Sequence, residues 1–130
     1  MANRRMFSRS VTDTDQFYSM ELSAQALYFH LGLHADDEGF VGNPVTIARS
    51  IGAGVSDLSI LAENGYLIPL DRGVYLITDW HLNNLIRKDR YQGTAYKDLQ
   101  AMVFRDKNGR YALGIPPDIP VVAADKDSTG

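Results

Sequence analysis

The spacing of apolar residues changes once in the first 80 residues, and this change constrains the fold. In LSAQALYFHLGLHA, NPVTIARSIG and AGVSDLSILAENG the apolar residues recur at helical intervals, with Pro44 suited to a first helical position and Gly65 to a left-handed stop. YLIPL and VYLIT then form strand-like runs around the short loop Asp71-Arg72-Gly73. Three helices followed by a hairpin predict an α+β fold, a winged helix-turn-helix with a three-helix core, a β-hairpin wing, and N- and C-terminal extensions.

The same patterns predict helix starts and a core. Ser23, Asn43 and Ser56 stand where N-caps are expected, because their side chains can accept from free backbone N–H groups. We expect Phe7, Phe17 and Tyr18 to fold the N-terminal segment onto the helices, and Trp80 to close the core rather than stack on a base. The first helix should bury Ala24, Leu27, Tyr28, Leu31 and Ala35, with Ala26, Phe29 and Leu33 widening the apolar side.

Beyond the wing the pattern is less regular. DWHLNNLIRKDRYQGTAY predicts a short helical turn and then an irregular segment, and MVFRDKNGRYAL predicts a second hairpin with Asn108-Gly109 as a type I′ turn. After Leu113 the chain becomes rich in proline and small polar residues. We therefore expect a domain over 1–113 and a disordered linker or tail over 114–130.

Composition excludes several classes of function. The chain has no cysteine, so disulfides, thiolate zinc sites and cysteine nucleophiles are excluded. Its three histidines are scattered and no phosphate-binding glycine loop is present, so we expect neither an enzyme nor a bound cofactor. No signal peptide and no membrane-length apolar run are apparent, and a cytoplasmic protein is the default expectation.

Charge is segregated along the chain. The net charge is −3, yet residues 1–12 carry three arginines and no acid. Residues 13–79 carry ten acids against two arginines, and residues 80–110 carry seven bases against three acids. An acidic body with basic flanks can still bind phosphates through a local basic stripe.

The stretch HADDEG, residues 34–39, places a histidine beside three carboxylates. A metal site needs ligands that converge on one point, whereas adjacent side chains at a helix end diverge. The spacing of a calcium-binding EF-hand loop also fails, because the twelfth position from Asp36 is Ile47. We therefore interpret the stretch as a polar helix exit where Gly39 turns the chain and Phe40 and Val41 pack back.

Several stretches together resemble a known family. They are MFSRS, LSAQALYFHL, ADDEGFV and the series Trp80…Asn84…Lys88-Asp89-Arg90-Tyr91. Between Arg4 and Tyr96 the chain resembles the N-terminal domain of replisome organisers, which are replication-initiation proteins of phages and prophages of Gram-positive bacteria, akin to DnaD-type primosomal proteins. The terminal DKDSTG is also similar to the tails of some members.

The resemblance implies a winged-helix domain that binds origin DNA, single- or double-stranded, in the bacterial cytoplasm. It also implies partners, namely a helicase loader or other primosome proteins, with a homo-oligomer as a further expectation. Members often continue into a helical C-terminal region. The sequence ends at Gly130, which fits a short member or a truncated chain, and functions of that region are not carried over.

The candidate DNA contacts lie in the basic flanks, the wing and the helix-turn-helix. The basic stripe, Arg87, Lys88 and Arg90, would neutralise phosphates. Tyr91 would stack on an unpaired base or anchor the core. Arg72 at the wing tip would reach the DNA backbone or be an ordinary turn arginine, and Arg49 would support a backbone contact or pair with an acid. The full set is Arg5, Arg9, Arg49, Ser56, Arg72, Asn83, Asn84, Arg87, Lys88, Arg90 and Tyr91.

The third helix fits DNA reading poorly. Its expected outward residues are Ser56, Asp57, Ser59, Ile60, Glu63 and Asn64, none of them basic. A groove-reading helix normally offers Arg, Lys, Asn or Gln to base edges. Three interpretations therefore remain open: a replication-initiation module, a winged-helix transcriptional regulator, and a winged helix used only for protein assembly. Only the resemblance separates the first from the second.

Overall fold

A computed structural model describes residues 3–84 and 91–114 and shows a mixed α+β fold, as expected. The helices are α1 (Arg9–Thr12), α2 (Asp15–Tyr18), α3 (Leu22–His34), α4 (Pro44–Ser50), α5 (Val55–Glu63), α6 (Trp80–Asn83) and α7 (Lys97–Gln100). The strands are β1 (Phe40–Val41), β2 (Leu67–Pro69), β3 (Tyr75–Ile77), β4 (Val103–Arg105) and β5 (Tyr111–Leu113).

Helix α3 is the centre of the core and packs against α4 and α5. The predicted buried face is confirmed, because Ala24, Leu27, Tyr28 and Leu31 are fully buried. The expectation that the apolar side is wider is wrong in part, since Ala26 and Leu33 are exposed. The helix therefore contacts its neighbours along one face, as the spacing of its apolar residues requires.

The starts of α3 and α5 are joined by one carboxylate, not capped by two serines. Helix α3 begins before Ser23, whose hydroxyl donates to Asp57 Oδ1 at 2.9 Å. Helix α5 begins at Val55, and Asp57 Oδ2 accepts from the backbone N–H of Gly54 at 3.0 Å. The predicted caps Ser23 and Ser56 are therefore wrong, because Asp57 satisfies the free N–H group at the start of α5.

A three-stranded antiparallel sheet in the order β1-β3-β2 covers the helices. The predicted hairpin is present, with Leu67 opposite Ile77 and Pro69 opposite Tyr75. Strand β1 is an addition, since Phe40 was expected only to pack back, yet it pairs with Leu76. Proline is tolerated in β2 because this strand lies at the sheet edge.

The second hairpin, β4–β5, is also present, but its turn differs from the expected type. A type I′ turn needs positive φ at both central residues. Gly109 has a positive φ of 82°, but Asn108 does not have a positive φ. Arg72 is the one non-glycine residue with positive φ in the described part of the chain. The backbone N–H of Asp106 donates to Arg110 O at 2.7 Å and closes a three-residue loop instead.

The N-terminal segment folds onto α3 through an aromatic cluster. The Phe17 ring lies 5.5 Å from the rings of both Tyr28 and Tyr66, in edge-to-face contact. Phe7 packs so closely on Gly32 that a Cβ there would lie 2.5 Å from its ring. Tyr18 remains 60% exposed, so its predicted packing is wrong.

The predicted tail over 114–130 lies outside the described residues, apart from Gly114. Within the described ranges, no helix is both long enough and apolar enough to cross a membrane.

Candidate nucleic-acid interface

The acidic loop at residues 36–38 follows α3 and forms the expected turn. Asp36 Oδ1 accepts from the backbone N–H groups of Glu38 at 2.9 Å and Phe40 at 3.0 Å. Its other oxygen accepts from the Thr94 hydroxyl. Gly39, with a φ of 94°, completes the reversal, and a Cβ there would lie 2.7 Å from the Trp80 ring. The Asp36 carboxylate therefore supports the turn.

Asp37 binds the N-terminal segment through Arg5. Arg5 Nη2 donates to Asp37 Oδ1 at 3.0 Å and to Ala35 O at 2.9 Å, and its guanidinium lies 5.0 Å from the Trp80 ring centre. The Arg5 side chain is only 4% exposed. The prediction that Arg5 contacts DNA does not fit this position, because its charge is used inside the fold.

Glu38 binds the C-terminal segment. Its carboxylate accepts from Tyr91 Oη and from Gln100 Nε2 at 3.0 Å, and its backbone oxygen accepts from Tyr111 Oη at 2.8 Å. The bond to Glu38 raises the pKa of Tyr91 to about 12. The acidic loop thus joins three segments that are distant in the sequence. No group of three or more potential metal-ligating side chains converges among the described residues.

Asn83 and Asn84 are buried and hold the N-terminal segment. Asn83 Oδ1 accepts from Ser8 N at 2.7 Å, and Asn83 Nδ2 donates to the Tyr28 hydroxyl at 2.9 Å. Asn84 Oδ1 accepts from Met6 N at 2.8 Å. Their predicted DNA contacts do not fit these positions, because neither amide reaches the surface.

Three of the candidate cations, Arg9, Arg49 and Arg72, are exposed. The Arg9 side chain is 90% exposed, and its Nη2 lies 3.3 Å from Asp13 Oδ2, one helical turn later. Arg49 is exposed on α4 and forms no ion pair within residues 3–84 and 91–114.

Arg72 contacts Asp98 through two hydrogen bonds, Nη1 to Oδ2 at 2.9 Å and Nη2 to Oδ1 at 3.2 Å. The guanidinium lowers the pKa of Asp98. Both side chains are more than half exposed, so solvent weakens the pair.

Tyr91 is anchored through its hydroxyl and is partly exposed. Its hydroxyl is held by Glu38, while the residue remains 43% exposed, so one region of the ring is open to solvent. The predicted phosphate contacts Arg87, Lys88 and Arg90 lie outside the described residues.

The exposed face of α5 is smaller and less polar than expected. Asp57 is buried, and Ile60 and Asn64 are half-buried. The exposed residues are Val55, Ser56, Ser59 and Glu63. Ser56 is therefore accessible as predicted, but this face of the helix still carries no positive charge.

A cleft of about 470 Å³ opens beside the acidic loop, and no sequence pattern predicted it. The cleft is lined by residues of the N-terminal segment, the end of α3 with the acidic loop, and the segment before α7: Arg5, His34, Asp36, Asp37, Phe40, Gly42, Asn43, Gln92, Gly93 and Tyr96. The lining residues are up to 91 positions apart in the chain, which is why local patterns could not place them together.

No protein-family model matches the sequence, and no curated protein or solved structure is significantly similar to it.

Proposed function

We propose that the chain is a DNA-binding winged-helix module of a phage or prophage replication-initiation protein, a replisome organiser. It would bind origin DNA in the bacterial cytoplasm and help assemble the helicase-loading machinery. Helices α3, α4 and α5 with the sheet β1-β3-β2 have the order of a winged-helix domain, and this supports the fold assignment. The replication role rests on the sequence resemblance.

The observation that carries DNA binding is the backbone of Arg72 at the tip of the β2–β3 hairpin. Its φ is 61°, a conformation that costs a non-glycine residue about 1–2 kcal/mol. A strained residue with an exposed cation, at the tip of a wing, is typical of a functional contact. Arg49, Ser56 and Tyr91 are further exposed candidates on the described surface.

Arg72 and Asp98 offer a matched pair of variants. Arg72→Ala should weaken DNA binding at all sequences and reduce the salt dependence by about one counterion. Asp98→Ala frees the guanidinium and should leave the affinity equal or higher. The measurement is fluorescence anisotropy with labelled single- and double-stranded DNA at several salt concentrations. Unchanged affinity in Arg72→Ala would contradict the wing contact.

The basic stripe is tested separately. Replacing Arg87, Lys88 and Arg90 together with alanine should weaken binding at all sequences and leave the melting temperature unchanged, because these residues neutralise phosphates. An unaltered affinity in this triple variant would remove the stripe from the interface.

The face of α5 favours protein assembly as a second candidate. It presents Val55, 55% exposed, beside serines and one acid, which suits a protein surface better than phosphates. No DNA binding at low salt, together with a molecular mass that rises with concentration, would support assembly over DNA binding. A winged-helix transcriptional regulator would share this fold and differ in its target sequence.

A further inference from the structure

The cleft beside the acidic loop has uncommitted polar groups at its walls. Asn43 precedes α4 without forming a side-chain cap, so its amide has no partner among the described residues. Tyr96 lies with its hydroxyl against Gly42, so closely that a Cβ there would clash with the oxygen, and that hydroxyl has no partner in the described ranges. The amide of Gln92 is also exposed.

The charged groups of the cleft are already occupied. Asp36 accepts from Thr94 and two backbone N–H groups, and Asp37 accepts from Arg5 and from Gln92 N. Two carboxylates against one guanidinium leave the interior slightly negative, which disfavours an anion there. The groups still available for a ligand are two amides, a phenol and the His34 imidazole, whose Nδ1 lies 2.9 Å from His30 O.

One cation lies beside the cleft. Lys97 Nζ lies at Gly93, which lines the cleft, only 2.7 Å from where a Cβ of that residue would stand. A ligand that fits would have a neutral polar part inside and a phosphate at the rim.

A nucleotide has this division of charge. Asparagine and glutamine amides match the donor and acceptor edges of bases, and a tyrosine ring offers a stacking surface. The rings of Tyr96 and Phe40 lie 6.1 Å apart at 33°, so the wall is aromatic as well as polar. An aromatic wall with a few convergent polar groups is typical of small-ligand pockets.

We propose that this cleft binds one unpaired base of single-stranded DNA, with Lys97 contacting the adjoining phosphate. The inference rests on the proposed function and refines it, because it predicts a preference for melted DNA that a wing contact alone would not give.

The direct test does not require DNA binding. The ¹⁵N-labelled chain is titrated with the four deoxynucleoside monophosphates at low-millimolar concentrations, and with inorganic phosphate as the control. We expect amide shifts at Asn43, Gln92 and Gly93 with at least one nucleotide and no comparable shifts with phosphate. The absence of shifts with every nucleotide, or equal shifts with phosphate, would overturn the proposal.

Variants then connect the cleft to single strands. Asn43→Ala and Tyr96→Phe should weaken single-stranded binding about tenfold and leave double-stranded binding unchanged. Thr46→Ala, an exposed change on the helix that follows Asn43, is the control for Asn43. Lys97→Ala should also weaken single-stranded binding, with Lys107→Ala as the charge-matched control.

The outcomes separate the two proposals. Unchanged single-stranded affinity in Asn43→Ala and Tyr96→Phe would overturn the cleft assignment, while salt-dependent binding by the wild-type chain would keep the proposed function. Nucleotide shifts in a wild-type chain that binds no DNA would support the cleft as a nucleotide site and overturn the proposed function.

Discussion

The hydroxyl of Tyr111 donates to the backbone oxygen of Glu38 at 2.8 Å, although the two residues are 73 positions apart. His81 Nε2 lies 2.9 Å from the same hydroxyl and supplies the hydrogen for that contact, since the hydroxyl's own hydrogen goes to Glu38. The contact brings the second hairpin, α6 and the acidic loop together in the interior. Three otherwise separate segments are therefore coupled at one buried tyrosine.

Glu38→Ala should destabilise the fold. The change leaves Gln100 Nε2 without its acceptor and opens a space beside Tyr111, and an unsatisfied buried donor costs about 1–3 kcal/mol. We expect a decrease of about 2–3 kcal/mol in the free energy of unfolding, measured by urea denaturation. Glu63→Ala, on the exposed face of α5, is the control and should change it by less than about 0.5 kcal/mol. Equal effects of the two variants would contradict the role of Glu38.

The two residues near the start of α5 should differ sharply. Asp57→Ala removes the acceptor for Ser23 and for Gly54 N, and should lower the free energy of unfolding by about 1–2 kcal/mol. Ser56→Ala should have almost no effect, because its side chain is exposed and forms no cap. Thermal and urea melts of both variants test this. A larger loss in Ser56→Ala would restore the cap expected from the sequence.

The element types were predictable from local pattern, whereas the joining contacts were not. The helical spacing around Leu27 and Leu31 identified the buried face of α3, and Gly65, with a φ of 83°, ended α5 as expected. The predicted serine caps are wrong because α3 begins at Leu22 and α5 at Val55, so Ser23 and Ser56 both stand inside the first turn. Strand β1 was not predicted, because a two-residue strand has no periodicity to detect.

The candidate site was predicted least well, for a physical reason. Arg5, Asn83 and Asn84 were selected by residue type, since cations and amides suit DNA. Their partners, Asp37, Ser8 and Met6, lie far away in the sequence, so their burial could not be inferred locally. The exposed cations Arg49 and Arg72 carry no such long-range contact into the core.

Acid should destabilise the chain through His81. Burial, and secondarily the charge of Arg105, lowers the pKa of His81 below its ordinary value of 6.5, while Glu38 opposes the shift. The unfolded chain then binds the proton first, so stability is present above about pH 6.5 and is lost as the pH falls through the folded pKa. Melting temperatures from about pH 8 to about pH 5 should therefore fall less in His81→Gln than in the wild-type chain.

The exposed His30 supplies the control for this comparison. His30→Gln should keep the wild-type pH profile, because the His30 side chain is exposed to solvent and forms no contact with the buried groups around His81. A profile identical in wild type and His81→Gln would show that His81 does not drive the acid response.

A chelator should change neither the melting temperature nor DNA affinity. The oxygens of Asp36 and Asp37 already accept from Thr94, Arg5 and Gln92, so a cation would have to displace these donors. Calorimetric melts with and without EDTA test this directly. A reproducible loss of stability on chelation would show that a metal binds this stretch.

The contacts of the acidic loop determine where the chain can be cut. A fragment limited to α3 through β3 would keep the helices and the first hairpin, yet it would lose Arg5, Thr94, Gln100 and Tyr111. Glu38 would then be left with no described side-chain donor, and Asp36 and Asp37 would lose Thr94 and Arg5 respectively. The smallest piece worth expressing therefore runs from Arg5 to Leu113, and a boundary drawn at the end of the wing would divide a cooperative unit.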